Sequence, residues 1–383
     1  MSGARPVLIM AGGTGGHVCP ALAVAEQLRT RGVPVAWMGT RSGLEATLVP
    51  KAGIPVEWIE VSGLRGKGLG RKLRTPLMLG RALWQASAIL RRLRPPVVLG
   101  MGGFASGPGG MMARLLGIPL VVHEQNAIAG LTNRGLSRFA SRVLEAFPHT
   151  FSPARGAVTV GNPVRAAIAA LPPPAERFAG REGPSRLLVL GGSQGARALN
   201  ELVPQALALL DDDERPDVWH QAGGQLHEAA EAAYREAGLA TRHSPLATRY
   251  RLTPFIEDMA EAYGWADLVL CRAGALTIAE LAAVGVGALL VPFPFAVDDH
   301  QTANARFLEQ GGAALIRQQA DLNAERLAAI LREWLGDRAR LLGMATAARS
   351  LAKIEAAEQV AQACLEQARS WTNHGGNESR GYG

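Results

Sequence analysis

Few signposts of a secreted, metal-holding or membrane-spanning chain are present in these 383 residues. Cysteine occurs three times, at Cys19, Cys271 and Cys364. An odd, widely spaced set makes neither a disulfide framework nor a metal-type spacing, and it fits a reducing cytosol. No apolar run reaches the ~18 residues of a membrane span, so any membrane contact is expected to be peripheral. No secretory leader is readable, because Val7–Met10 runs straight into glycines. Aromatic residues are 5% of the chain, which gives little support to a nucleic-acid-binding protein. The spacing G-x-x-x-x-G-K-[ST] does not occur, which argues against a P-loop nucleotidase.

Glycine and positive charge are what the chain has in excess, and both are placed unevenly. The net charge of +7 comes from 40 Lys+Arg against 33 Asp+Glu. Residues 1–160 hold 19 Lys+Arg and 6 Asp+Glu, a balance of +13, whereas residues 161–383 hold 21 and 27, a balance of −6. Arg65, Lys67, Arg71, Lys72, Arg74, Arg81, Arg91, Arg92 and Arg94 fall within residues 61–94, which contain no acid. Such an excess calls for an anionic partner.

Length beyond ~250–300 residues implies two cores. Short apolar runs alternate with helical patterns, which reads as parallel sheets covered on both faces. The expected strands are Val7–Met10, Val33–Met38, Val56–Val61, Val97–Gly100, Leu120–His123 and Val158–Val160. A second series follows at Leu187–Leu190, Val218–His220, Leu268–Cys271, Ala288–Val291 and Ala314–Ile316. Helices are expected at Ala21–Arg31, Leu77–Arg92, Ala198–Leu210 and Thr277–Val284. The class is α/β, with two doubly wound domains at 1–160 and 161–352 facing a cleft. A last helix at 353–369 is placed to pack back on the first domain, and 370–383 is expected to be disordered.

Glycine-rich loops follow three strands, at Gly12–Gly16, Gly100–Gly110 and Gly191–Gly195. Each is either a plain tight turn or a backbone cradle for phosphate, and three of them tilt the balance towards phosphate. An NADP site is the weaker reading, since Arg41 stands near where a ribose-binding acid belongs. His123-Glu124-Gln125-Asn126 ends a strand and either binds sugar hydroxyls or caps a loop. Arg165 either pairs with a diphosphate or is a surface arginine. Glu280, placed in the first turn of a helix, either holds ribose hydroxyls or favours the helix dipole. Asp298-Asp299-His300-Gln301 lacks a partner set of metal ligands, so sugar hydrogen bonding is preferred and no metal is expected.

In order along the chain, Gly12–His17, Gly100–Gly110, His123–Asn133, Gly161–Arg165, Gly191–Arg197, Phe255–Met259, Cys271–Glu280 and His300–Gln301 resemble the motifs of the bacterial peptidoglycan glycosyltransferases that form lipid II. The resemblance covers about residues 7–365. It implies a fold of the GT-B type, with two Rossmann-like domains. It implies inverting transfer of GlcNAc from UDP-GlcNAc to lipid I, undecaprenyl-diphospho-MurNAc-pentapeptide, with no cofactor. By resemblance, Ile256 contacts uracil, Glu280 the ribose, and Ser193 and Arg165 the diphosphate. Ala275, Leu276 and Thr277 line the diphosphate and sugar region, Ile278 and Ala279 count among the substrate-binding residues, and Gln301 binds the GlcNAc hydroxyls. Thr14, Gly15, Gly16 and Asn126 approach the transferred sugar from the first domain. His17 is the first candidate for the base and Glu124 the second, because a histidine in a cleft can titrate near neutral pH. Cys19 and Gly287 depart from the usual pattern without removing a polar group.

The rival on the same fold is a UDP-GlcNAc 2-epimerase, which needs no lipid acceptor. The basic stretch 64–94 also carries Leu64, Leu69, Leu73, Leu77, Met78, Leu79, Leu83 and Trp84. Leu83 and Ile89 are expected in the core. Leu64–Leu79 is expected to meet an anionic inner leaflet from the cytoplasmic face.

Overall fold

The computed structural model describes residues 5–61, 69–192, 195–239 and 249–373. The chain divides into two compact units, residues 1–165 with 354–383, and residues 166–353. The change-over falls after Arg165 rather than after residue 160.

In the first unit seven strands form one sheet: β1 (Val7–Met10), β2 (Val35–Gly39), β3 (Val56–Trp58), β4 (Val98–Gly100), β5 (Leu120–Glu124), β6 (Arg142–Glu145) and β7 (Val158–Thr159). Their order is β3-β2-β1-β4-β5-β6-β7. The second unit holds β8 (Arg186–Leu190), β9 (Asp217–Gln221), β10 (Tyr250–Thr253), β11 (Leu268–Cys271), β12 (Gly287–Leu290) and β13 (Ala314–Ile316), ordered β10-β9-β8-β11-β12-β13. All strand pairs described are parallel. Each sheet therefore runs outward from its first strand, returns, and continues past it through its fourth. That is the Rossmann order, and the crevice beside the first and fourth strands is where such sheets take ligands. β1, β4, β8 and β11 are buried at nearly every position, as parallel strands covered on both faces must be.

Two strands escaped the sequence pattern, each for a reason. β6 is only four residues long and ends on the charged Glu145. Glu145 is nonetheless 4% exposed. Its carboxylate accepts from the amides of His149 and Phe151 and from the Thr159 hydroxyl. β10 is the edge strand of its sheet and has no fully buried position, so no apolar run marks it.

The helix expected to begin at Ala21, after Pro20, begins instead at Gly15 and carries Pro20 within it (Gly15–Thr30). Thr14, Gly15, Gly16 and His17 are thereby placed at a helix N-terminus rather than in a loop. The last helix runs Ala356–Asn373, so residues 370–373, expected to be disordered, are helical. Residues 374–383 lie outside the described residues. This helix belongs to the first unit. Val360, Ala361, Ala363 and Cys364 share a core with β1 and with helix Gly15–Thr30. An Arg31–Glu358 ion pair (2.7 Å) and a bond from Trp371 Nε1 to the Gly117 carbonyl (3.0 Å) fasten its two ends.

Among the described residues each unit buries one histidine, His123 on β5 and His220 on β9. Burial lowers His123 to about 4, against the weaker opposing pull of the Gly161 carbonyl and Glu124. Burial alone lowers His220 to about 3. In the unfolded chain each takes a proton near the ordinary 6.5. As pH falls through 6.5 the unfolded chain binds protons that the folded chain refuses, so stability drops. The loss is complete only below about 4 for His123 and about 3 for His220. The urea midpoint is expected to fall steadily between pH 6.5 and 4. A midpoint that held or rose over that interval would contradict the buried neutral state.

Candidate active site

In the first unit, the loop after β1 meets the loops after β4 and β5. His17 is the third residue of helix Gly15–Thr30 and is partly exposed. Its Nδ1 lies 2.7 Å from Gln125 Oε1. Its ring packs against the loop after β4. A Cβ placed on Gly102 (φ +95°) would lie 2.9 Å from the ring's Cε1 and Nδ1. At Gly103 (φ +83°) a Cβ would lie 2.4 Å from the Gly12 carbonyl oxygen. Glycine is required at both positions by conformation and by space. Thr14 is exposed at the helix N-cap with no side-chain cap bond, beside Gly15 and Gly16.

Glu124, the second candidate base, is 1% exposed and heavily engaged. Oε1 accepts from the Asn126 amide (3.0 Å) and from Asn126 Nδ2 (3.2 Å). Oε2 accepts from the Gly130 amide (3.1 Å) and from Asn133 Nδ2 (2.9 Å). Four donors on one carboxylate make it the organiser of the loop after β5, which holds Asn126 in place.

Glu45 went unnoticed in the sequence. It is fully buried. It accepts from the amides of Gly13 (2.8 Å) and Thr40 (3.0 Å) and from the Thr40 hydroxyl (2.8 Å). The glycine loop that precedes helix Gly15–Thr30 is therefore pinned from beneath by a carboxylate.

In the second unit, Gln221 at the end of β9 clamps the glycine loop after β8. Its Oε1 accepts from the Gly192 amide (3.1 Å) and its Nε2 donates to the Gly192 carbonyl (2.9 Å). Ser193, the diphosphate candidate in this loop, lies outside the described residues. Beyond β11 the chain turns at Gly274 into helix Ala275–Val284. The amides of Ala275, Leu276 and Thr277 thus open a helix whose first turn leaves N–H groups for a ligand. Leu276, Thr277 and Ala279 are partly exposed, whereas Ala275 and Ile278 are buried.

Glu280 is the sixth residue of this helix, so it stands in the second turn rather than the first, where dipole stabilisation would have sufficed. It is 4% exposed. Its Oε2 accepts from the Tyr263 hydroxyl at 3.1 Å. Tyr263 belongs to helix Met259–Trp265, which follows Ile256. Ile256 itself is buried beside the exposed Phe255. Asn304 Nδ2 donates to the Ala273 carbonyl (3.3 Å). This ties helix His300–Gln310, and with it Gln301, to the turn before Ala275.

Gln301 Oε1 accepts from the Phe293 amide at 2.9 Å, which leaves its Nε2 to donate elsewhere. Asp298 and Asp299 take positive φ values of 54° and 50° at the entry to this helix. Asp299 accepts from the Thr302 hydroxyl at 2.7 Å. Among the described residues no three His, Cys, Asp or Glu side chains group as a metal site. Arg165 is the exposed last residue of the first unit's leading segment.

Replacing Glu45 by leucine strands three donors inside the first unit. At about 1–3 kcal/mol for each unsatisfied group, with less than full additivity, a loss of about 2–4 kcal/mol is expected. Glu45→Gln, which keeps one acceptor oxygen, is expected to lose less. Urea denaturation of the three chains checks the ranking.

Comparison with known proteins covers both units. Residues 7–145 match the glycosyltransferase family 28 N-terminal domain and residues 186–362 its C-terminal domain. The UDP-N-acetylglucosamine–N-acetylmuramyl-(pentapeptide) pyrophosphoryl-undecaprenol N-acetylglucosamine transferase of Nitrosococcus oceani is 59% identical over 94% of this chain and 98% of its own. The protein of the same name from Alkalilimnicola ehrlichii is 59% identical over 95% and 99%. The crystal structure of Acinetobacter baumannii MurG superposes with a TM-score of 0.80 at 43% identity, over 94% of this chain and 99% of that one. UDP-GlcNAc 2-epimerase from Neisseria meningitidis reaches a TM-score of 0.64 at 10% identity, a likeness of fold alone. With each half matched in chain order and identity sustained over nearly the whole length, the chain belongs to glycosyltransferase family 28, among the UDP-N-acetylglucosamine–N-acetylmuramyl-(pentapeptide) pyrophosphoryl-undecaprenol N-acetylglucosamine transferases.

Proposed function

We propose that the chain transfers GlcNAc from UDP-GlcNAc to the C4 hydroxyl of the MurNAc sugar of lipid I, giving lipid II for peptidoglycan. The observation that carries this reading is 59% identity over 94% of the chain to a relative whose name states this transfer. The epimerase alternative retains only a shared fold.

The acceptor hydroxyl attacks the anomeric carbon of GlcNAc in one displacement, with inversion, and UDP leaves. In this reading Ile256 and Glu280 take the uridine, through uracil and the ribose hydroxyls respectively. The leaving diphosphate gathers negative charge. It is stabilised by the Ala275–Thr277 helix start, the loop clamped at Gly192, Ser193 and Arg165. Gln301 donates to a GlcNAc hydroxyl through its Nε2. On the first unit Thr14, Gly15, Gly16 and Asn126 approach the transferred sugar. His17 accepts the proton of the attacking hydroxyl. Support for that role comes from its place on the first helical turn and from the engagement of Glu124 elsewhere.

Purified protein given radiolabelled UDP-GlcNAc and a lipid I analogue is expected to label the lipid-linked product, also in EDTA. Release of 2-epimerised sugar without acceptor would sink the transferase reading. Loss of activity in EDTA would refute only the metal-independent part. His17→Ala is expected to lower kcat by about 10²–10⁴ while leaving UDP affinity nearly unchanged.

We further infer a peripheral site on an anionic membrane leaflet, which for this acceptor is the cytoplasmic face of the inner membrane. Among the described residues no helix is long and apolar enough to cross a membrane. Helix Leu69–Leu93 exposes Leu77 (77%) and Trp84 (72%), seven residues apart and so on one face. Helix Ser106–Leu115, packed against it, exposes Leu115 (73%). Arg91, Arg94 and Arg114 are exposed nearby in sequence.

The charge is tempered from outside the basic stretch, by Arg81–Glu60 (2.8 Å) and Arg92–Glu57 (2.5 Å) ion pairs. Ile89 is buried and Leu83 partly so. Leu64, and the side chains of Leu69 and Leu73, lie outside what the structure describes. Vesicles containing anionic lipid are expected to bind the protein, less so at high salt. Leu77→Glu with Trp84→Glu is expected to weaken that binding. Indifference to both anionic lipid and salt would count against the site.

A further inference from the structure

The candidate base does not stand alone. Its Nδ1 ends a chain of hydrogen bonds that begins at a buried main-chain carbonyl. His123 Nε2 lies 2.9 Å from the Gly161 carbonyl oxygen. Gln125 Nε2 lies 3.0 Å from His123 Nδ1 and 2.9 Å from the His123 carbonyl oxygen. Gln125 Oε1 lies 2.7 Å from His17 Nδ1. His123 and Gln125 are both about 99–100% buried, being 0% and 1% exposed, so neither exchanges these partners for water.

Two carbonyl oxygens set the polarity of the whole chain, because a carbonyl can only accept. The Gly161 carbonyl requires the proton of His123 to sit on Nε2, which makes Nδ1 of the neutral ring an acceptor. The His123 carbonyl requires the Gln125 amide to turn its NH₂ towards β5, and the same NH₂ then serves His123 Nδ1. Gln125 Oε1 is left facing His17, where it accepts. The orientations of an amide and of two imidazoles, each ambiguous in isolation, thus follow from chemistry that admits one answer. Burial, which lowers His123 to about 4, keeps that ring neutral at the pH of the cell and so keeps the polarity fixed.

We propose that Gln125 and His123 are positioning residues that hold His17 in its Nδ1–H tautomer and so present Nε2 as the proton acceptor. Gly102 closes the other side, since a side chain there would collide with the ring in this pose. The tautomer stands on the hydrogen-bond geometry and on the neutrality of buried His123. Its catalytic consequence rests on the reading of His17 as the base.

The full chain labelled with ¹⁵N at its eight histidines is suited to a long-range ¹H–¹⁵N correlation spectrum at pH 8. The His17 signal is assigned as the one lost in His17→Ala. Wild-type His17 is expected with a protonated Nδ1 and a bare Nε2; the reverse pattern overturns the proposal without any variant. Gln125→Met keeps the side-chain length and removes both amide functions. It is expected to move His17 towards the Nε2–H form that imidazole side chains favour in water. It is also expected to lower kcat at least about tenfold, within the range a general base contributes, with KM for UDP-GlcNAc changed less than about threefold. A Gln125→Met protein whose His17 tautomer and kcat both match wild type overturns the proposal. Wild-type turnover in His17→Ala would instead sink the base reading, and the tautomer spectrum would still judge the positioning one.

Discussion

Parallel pairing is the constraint on which the rest of this structure depends. Because every strand in a sheet points the same way, every loop that follows a strand emerges along one edge. The order 3-2-1-4 then parts the first loop from its neighbour and opens a crevice beside the fourth strand. The candidate site residues are found on such loops or in the first two turns of the helices after them. In the first unit they follow β1, β4 and β5. In the second they follow β8, β10, β11 and β12. The same rule that buries the strands on both faces thus decides where polar groups gather.

Gathering polar groups at the rim of two dry sheets has its own cost, since a buried donor or acceptor without a partner is destabilising by about 1–3 kcal/mol. The protein meets that cost with dedicated side chains whose task is to hold loops. Glu45 takes three donors from the loops after β1 and β2. Glu124 takes four from the loop after β5. Gln221 grips both sides of Gly192, and Asn304 steadies Ala273. None of these need touch a substrate to matter. They fix the loop amides and the residues around the His17 imidazole.

Most of the fold was legible in the sequence, and the parts that were not share a cause. Apolar runs mark eleven of the thirteen strands among the described residues. β10, an edge strand, and β6, which ends on a buried glutamate, carry no such run. Helix Gly15–Thr30 starts six residues before the expected Ala21, because its start, Thr14 at the N-cap followed by Gly15 and Gly16, carries no apolar period. For the site, the glycine loops and the polar quartet after β5 were visible as motifs. Their inner supports were not, because a lone Glu45 or Gln221 looks like any surface residue. One clue was available in hindsight. Residues 1–160 contain only six acids, and three of them, Glu45, Glu124 and Glu145, are buried. Half of the acids in so basic a stretch thus do internal work.

The return of helix Ala356–Asn373 to the first unit bears on how the chain is made. Val360, Ala361, Ala363 and Cys364 complete the core that begins at β1. During synthesis the whole second unit, residues 166–353, is made before that helix. The first half emerges first yet finishes last, with one flank of helix Gly15–Thr30 uncovered for the whole interval. Until that helix is made, the nascent chain carries an apolar face in need of shelter.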